Sequence, residues 1–308
     1  MRTSRVLVLV ASIACVLSPR ITSQSVTLDQ NPASPHSGLA LTLPLDNKSI
    51  RFAVIGDSGT GKAPQYEVAQ GMETYRRATN FDFVLMLGDN IYGGHSPQDF
   101  ERKFEQPYKA LLDAGVKFYA SLGNHDDPNE ERLYKPFNMN GERYYTFKKS
   151  NVAFFALDST YMDPKQLDWL EKELRNSNAE WKICFFHHPL YSDGKFHGSD
   201  TNLRAQLTPL FLKFGVNVVL SGHDHVYERF KPEQGIYYFV LGNSGQLRNH
   251  NLRFSPDMQA GLDTDLGFML MEISGDKLYF QTISRAGKTV DASVLPRQAK
   301  PTEVSTNP

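Results

Sequence analysis

A chain of 308 residues can bury one large core or two modest ones. Apolar residues make up 40% of it and charged residues 22%, the balance of an ordinary soluble globular protein. A formal net charge of -1 gives no reason to expect nucleic acid or a stable acidic-membrane partner, so any charge that matters must be local.

Residues 1–23 read as an export signal. Arg2 and Arg5 precede an apolar run at 6–17, and Ser18-Pro19 ends it. The run is shorter than the roughly 20 apolar residues a spanning helix needs. The protein is therefore expected to be secreted or periplasmic, with a lipid anchor at Cys15 as the alternative. Residues 24–48, rich in Ser, Pro, Asn and Thr, are expected to be a linker or irregular edge, and 292–308 a flexible tail. Once the signal is removed only Cys184 remains, so no internal disulfide is expected and Cys184 reads as a small core residue.

The body, 49–291, repeats one theme. A short apolar run ends abruptly in a polar turn, and a helical segment often follows. Runs at 52–55, 83–87, 118–122, 183–186 and 216–220 suit buried strands. Helices are predicted over 64–79, from the Ser96-Pro97 cap to about 113, from Asp163-Pro164 to about 176, and over 201–214. Shorter runs at 143–147, 152–157, 237–241, 268–273 and 278–283 add strands, close enough together to pair antiparallel. The expected fold is α/β, two packed sheets with helices outside.

Ligands in open α/β sheets gather at the carboxyl ends of strands. Here those ends offer Asp57; Asp89 with Tyr92; Asn124; His187; and His223 with His225. One such aspartate could be a helix cap. Five endings together, four with a glycine directly before the candidate ligand, are hard to explain as caps. Imidazoles suit iron or zinc, and the oxygen donors suit harder ions. Seven donors exceed what one catalytic ion takes from protein, so two adjacent ions sharing one carboxylate are expected.

Gly56-Asp57-Ser58-Gly59, Gly88-Asp89-Asn90-Ile91-Tyr92, Gly123-Asn124-His125-Asp126, the His187 segment and Gly222-His223-Asp224-His225 resemble the five motifs of calcineurin-like metallophosphoesterases. Tyr92 resembles the purple acid phosphatase branch, tartrate-resistant acid phosphatases included. The resemblance spans roughly 50–283 and implies two mixed β-sheets sandwiched between helices. It also implies that Asp57, Asp89, Tyr92 and His225 hold Fe(III). Asp89, Asn124, His187 and His223 would hold a divalent ion (Fe, Zn or Mn), with Asp89 shared. His188 would then stand just outside the ligands or line the pocket. His125 and His197 would bind phosphate and protonate the leaving oxygen, and Asp126 could orient the His125 ring.

Charge counting agrees. A trivalent and a divalent ion bring five positive charges, and Asp57, Asp89, an ionised Tyr92 and one hydroxide remove about four. The surplus favours a phosphate dianion. The expected activity is hydrolysis of small phosphate monoesters by a hydroxide between the metals, of the acid phosphatase type. A phosphodiesterase or nucleotide hydrolase with the same centre is the alternative. Residues 158–167 form only a short connector where tartrate-resistant relatives carry a longer loop, so a more open site is expected. The segment 243–265 shows no internal pattern, and the sequence says nothing of the oligomeric state.

Overall fold

A computed structural model describes residues 39–298; the expected export signal, Cys15 and the far end of the expected tail lie outside them. The elements in chain order are β1 (Ile50–Ile55), α1 (Ala63–Thr79), β2 (Phe83–Leu87), α2 (Pro97–Phe100), a π-helical turn (Glu101–Glu105), α3 (Lys109–Asp113), β3 (Lys117–Ser121), α4 (Pro128–Glu131) and a 3-10 turn (Lys135–Phe137). Then come β4 (Tyr145–Lys149), β5 (Val152–Ala156), α5 (Pro164–Asn176), β6 (Trp181–Phe185), α6 (Thr201–Phe214), β7 (Val218–Ser221), β8 (Tyr227–Phe230), β9 (Tyr237–Leu241), β10 (Met258–Leu262), β11 (Gly267–Ser274), β12 (Lys277–Ser284) and β13 (Thr289–Pro296).

They form two mixed sheets. One has six strands in the order β13-β12-β11-β1-β2-β3, the other seven in the order β10-β8-β9-β7-β6-β5-β4. In each, the strands that end in candidate ligands run parallel: β1, β2 and β3 in the first, β6 and β7 in the second. Parallel neighbours end at the same edge, which is why the polar turns converge.

The two sheets face each other through aromatic rings. Phe52 of β1 stacks on Phe83 of β2 at 5.1 Å and meets Phe154 of β5 edge-on at 5.4 Å. Phe239 of β9 meets Phe280 of β12 at 5.1 Å. The outer face of the seven-stranded sheet carries a second core. Leu170 and Leu174 of α5 and Leu203, Leu207 and Phe211 of α6 cover Phe155, Cys184, Val219 and Tyr238 there. Cys184 is buried and free, as its apolar neighbours suggest. Strands covered on both faces read as unbroken apolar runs, and this made the central strands visible in the sequence.

Four sequence expectations need correction. The helix expected from Ser96 to 113 breaks into α2, a π turn and α3, because Pro107 has no N–H to donate and its ring crowds the preceding turn. The break is used: Lys103, in the π turn, sends its buried amine to Tyr92 O at 2.6 Å and Gly94 O at 2.9 Å. The tail expected from 292 begins later, since 292–296 lie in β13, paired with β12. Asp291 of that strand takes Arg229 of β8 at 2.7 Å and Tyr227 at 2.7 Å, tying one sheet's edge to the other. The linker expected over 24–48 is anchored where it is described: Thr42 N–H donates to Gln281, and the N–H groups of Leu45 and Asp46 to Glu272. The patternless stretch 243–265 contains the edge strand β10. Among the described residues no helix is long and apolar enough to cross a membrane.

Candidate metal centre

Asp57 follows β1, Asp89 and Tyr92 follow β2, Asn124 follows β3, His187 follows β6, and His223 and His225 follow β7. Asp57, Asp89 and His223 adopt left-handed backbone, with φ of 53°, 51° and 71°. Non-glycine residues held there typically store about 1–3 kcal/mol of strain each, and such residues cluster at functional sites. The turn swings each side chain from its strand end toward one centre. Gly88, with φ of 84°, leaves the room: a Cβ there would stand 2.6 Å from His187 Nδ1. A Cβ on Gly123 would stand 2.3 Å from Asp89 Oδ1.

The loops are cross-braced. Asp57 N–H donates to Gly88 O at 3.0 Å, Tyr92 N–H to Gly59 O at 2.9 Å and Gly222 N–H to His187 O at 2.9 Å. Across the sheets, His223 N–H donates to Asp57 Oδ2 at 2.9 Å.

All seven donor groups come together in two clusters. In the first, Tyr92 Oη lies 3.2 Å from Asp57 Oδ1 and 3.3 Å from His225 Nε2, and Asp57 Oδ1 lies 3.3 Å from His225 Nε2. Asp89 belongs to this cluster, with one ligand atom each of Asp57, Asp89 and His225 within 4.8 Å of one another. In the second, His187 Nε2 lies 3.0 Å from Asn124 Oδ1 and 3.0 Å from His223 Nδ1. Asp89 Oδ1 reaches the second cluster too, 3.4 Å from His187 Nε2.

These contacts fit cations better than hydrogen bonds. His187 Nδ1 faces the Leu87 carbonyl at 3.0 Å, so it carries the ring proton and Nε2 is a lone pair. That lone pair points at an amide oxygen, another acceptor. Acceptors about 3 Å apart are the spacing of neighbouring ligands around an ion bonded at about 2.0–2.2 Å. The titration tendencies agree. Burial holds the His187 and His223 imidazoles below their ordinary range, and burial with the nearby Arg248 brings His225 down to about 4, so all three are neutral. Burial and the Asp89 charge push the Asp57 carboxyl up, and burial with Asp57 and Asp89 pushes the Tyr92 phenol up. Anions crowded out of water in this way need a cation among them.

The remaining expected residues flank the clusters. His125 is exposed; its N–H donates to Asp89 Oδ1 at 3.0 Å and its ring lies 5.0 Å from that of Tyr92. His197, also exposed, lies at the opposite cluster, with its ring 3.9 Å from that of His223. His188 stands closer than an outer residue would. A ring nitrogen of His188 lies within 4.8 Å of those of His187 and His223, while its Nδ1 meets Ser159 Oγ at 2.9 Å. Asp126 does not orient the His125 ring. Its carboxylate accepts instead from Asn90 N, Ile91 N and Gly123 N at 2.7, 3.1 and 2.8 Å and from Asn90 Nδ2 at 2.9 Å. It clamps the β2 and β3 loops together.

Sequence reasoning missed the support of the His197 loop. Ser192 Oγ lies 2.5 Å from Asp224 Oδ2 and 2.7 Å from Glu228 Oε1. One hydroxyl hydrogen serves only one carboxylate, and burial pushes the Glu228 carboxyl up to about 8, so Glu228 is the protonated partner. Gly198 N–H donates to Asp224 Oδ2 at 3.0 Å. From the other side, Lys195 N–H donates to Asn251 O at 2.8 Å. No motif signals this arrangement.

Paired cation sites at the carboxyl edge of a two-sheet sandwich define a dinuclear metallohydrolase. Residues 50–227 match the family described as calcineurin-like phosphoesterase. The chain belongs to that family and is a metal-dependent phosphatase that hydrolyses phosphoesters at a dinuclear site. It is 28% identical to tartrate-resistant acid phosphatase type 5 of Homo sapiens over 303 residues, covering 82% of this chain and 93% of that protein. It is 27% identical to purple acid phosphatase 17 of Arabidopsis thaliana, covering 64% and 68%. Among solved structures, GAP50, the anchor in the inner membrane complex of Plasmodium, superposes with a TM-score of 0.74 at 20% identity, covering 82% and 90%. A purple acid phosphatase from yellow lupin (Lupinus luteus) seeds superposes with a TM-score of 0.70 at 18% identity, covering 83% of this chain and 55% of that one. At these identities the two structures speak for the fold.

Proposed function

We propose that this phosphatase hydrolyses small phosphate monoesters at an Fe(III)–M(II) centre, M being Fe, Zn or Mn, as acid phosphatases do. The observation that carries the reading is the Tyr92 phenol, 3.2 Å from Asp57 Oδ1 and 3.3 Å from His225 Nε2. A phenol so disfavoured as an anion ionises only beside a strongly acidic cation, which a ferric ion is. Asp57, Asp89, Tyr92 and His225 would hold the ferric ion; Asp89, Asn124, His187 and His223 would hold the divalent one.

Bound metals would acidify water and withdraw charge from the phosphoryl oxygens. The protein does the rest. Gly88 and Gly123 keep the donors close. His125, exposed at the Tyr92 side, would hold a phosphoryl oxygen and pass a proton to the departing alkoxide, and His197, beside the His223 ring, would assist from the other cluster. The names of the acid phosphatase relatives support the reading.

Metal analysis and a visible spectrum on one preparation test it. Two metals per chain with iron among them, and a violet colour that Tyr92→Phe removes or strongly shifts, are expected. A colourless, fully active, iron-free enzyme would reject the ferric assignment. Faster turnover of an aryl diester than of the aryl monoester would reject the monoester. His125→Ala should slow esters with poor leaving groups most, and an equal loss on all esters argues against proton donation. The signal-like residues 1–23 support action outside the cytoplasm, which N-terminal sequencing of exported protein checks.

A further inference from the structure

Arg248 lies in the patternless loop after β9, and nothing in the metal chemistry requires it. Its N–H donates to His225 O at 3.0 Å. Its guanidinium carbon lies 3.6 Å from the ring centroid of Phe196, and its Nη2 lies 3.4 Å from His197 Nε2. Arg143, Arg229 and Arg285 each reach a carboxylate. Arg248, among the described residues, has no carboxylate within 4.0 Å, and its Nε is buried without a hydrogen-bond partner. Phe196, which braces it, is itself 65% exposed.

An unpaired guanidinium beside a cationic centre is repelled by it, and the repulsion grows as metals bind. The arrangement makes sense when an anion lies between them. The planar fork suits phosphate oxygens, and stacking on Phe196 fixes its direction at little entropic cost. A monoester dianion has three non-ester oxygens, so one remains for Arg248 when two are drawn to the metals. A diester puts an alkoxy oxygen in that place.

We infer that Arg248, braced on Phe196, binds a phosphoryl oxygen on the His197 side and makes the site select phosphate monoesters over diesters. The inference rests on the monoester reading. Calorimetric titration of inorganic phosphate into the metal-loaded protein tests it without turnover. Arg248→Gln should weaken phosphate about 10- to 100-fold at unchanged metal content. Arg248→Lys should lose less and Phe196→Leu less again. With 4-nitrophenyl phosphate the Arg248→Gln loss should appear mainly in KM, while bis(4-nitrophenyl) phosphate should change little. Unchanged phosphate affinity in both Arg248 variants overturns the inference. So does an equal fall in kcat for both esters that disappears in a His197→Ala background, because Arg248 would then only position His197. A wild-type preference for the diester would overturn the monoester reading itself, and the phosphate titration would still decide whether Arg248 holds the anion.

Discussion

The six-stranded sheet supplies the centre with oxygen, from Asp57, Asp89, Tyr92 and Asn124, and the seven-stranded sheet supplies nitrogen, from His187, His223 and His225. Each cluster needs both. Tyr92 and Asp57 meet His225 in one, and Asn124 and Asp89 meet His187 in the other. Neither sheet offers a complete ligand set alone, so metals held by these groups would lie on the seam of the sandwich. Binding metal and keeping the sheets in register are then one equilibrium seen from two ends.

The strongest way to break this coupling is to remove the metals. An ion present at about a thousand times its dissociation constant contributes about 4 kcal/mol to stability. Chelation should therefore lower the melting temperature by roughly 10 °C, and calorimetry with and without chelator reads it. An unchanged melting temperature would mean that the sheets are held without the seam.

Asp89→Asn strikes a carboxylate that reaches both clusters. Phosphate release should fall at least about 100-fold, the upper range for losing even an outer partner of a metal ligand, with metal lost from both positions. Loss of a single metal with turnover retained would confine Asp89 to one cluster. Gly88→Ala presses the oxygen-side loop into the His187 ring and should cost about 1–3 kcal/mol in chemical denaturation, together with weakened metal binding.

The last effect concerns the nitrogen side alone. Burial raises Glu228 to about 8, against about 4.5 in an unfolded chain. Between those values the unfolded state releases a proton that the folded state keeps, so wild-type stability falls as pH rises, by about 1.4 kcal/mol per unit. Glu228→Gln can donate to Ser192 without titrating. Its stability relative to wild type should improve steadily from pH 5 to 8 in denaturant titrations, and a flat difference would put the shared proton elsewhere.

How legible each part was in the sequence follows from how it is buried. β1, β2, β6 and β7 are covered over most of both faces, and the edge strand β3 over its last residues, so each carries a short apolar run with a polar stop, and the donors stand at those stops. The edge strands β10 and β13, and β8 beside β10, lack that mark. β8 reads Tyr-Glu-Arg-Phe, β10 contains Gln259 and Gly261, and β13 alternates apolar with polar residues, because partners such as the Arg229–Asp291 pair replace a second covering layer. Pro107 was visible, but its consequence depends on Lys103 finding the Tyr92 carbonyl. Arg248 and the Ser192–Glu228 pair were illegible for another reason: they join segments far apart in the chain, and neither segment has a period.

Asp126 shows what such joining does to the record of substitutions a protein tolerates. It is one side chain receiving four donors from two loops, and no smaller or uncharged residue can take all four. If every residue were exchanged in turn and scored by phosphatase activity, Asp126 would rank with the ligands. A catalogue built from such scores would enrol it as chemistry, although its work is that of a keystone.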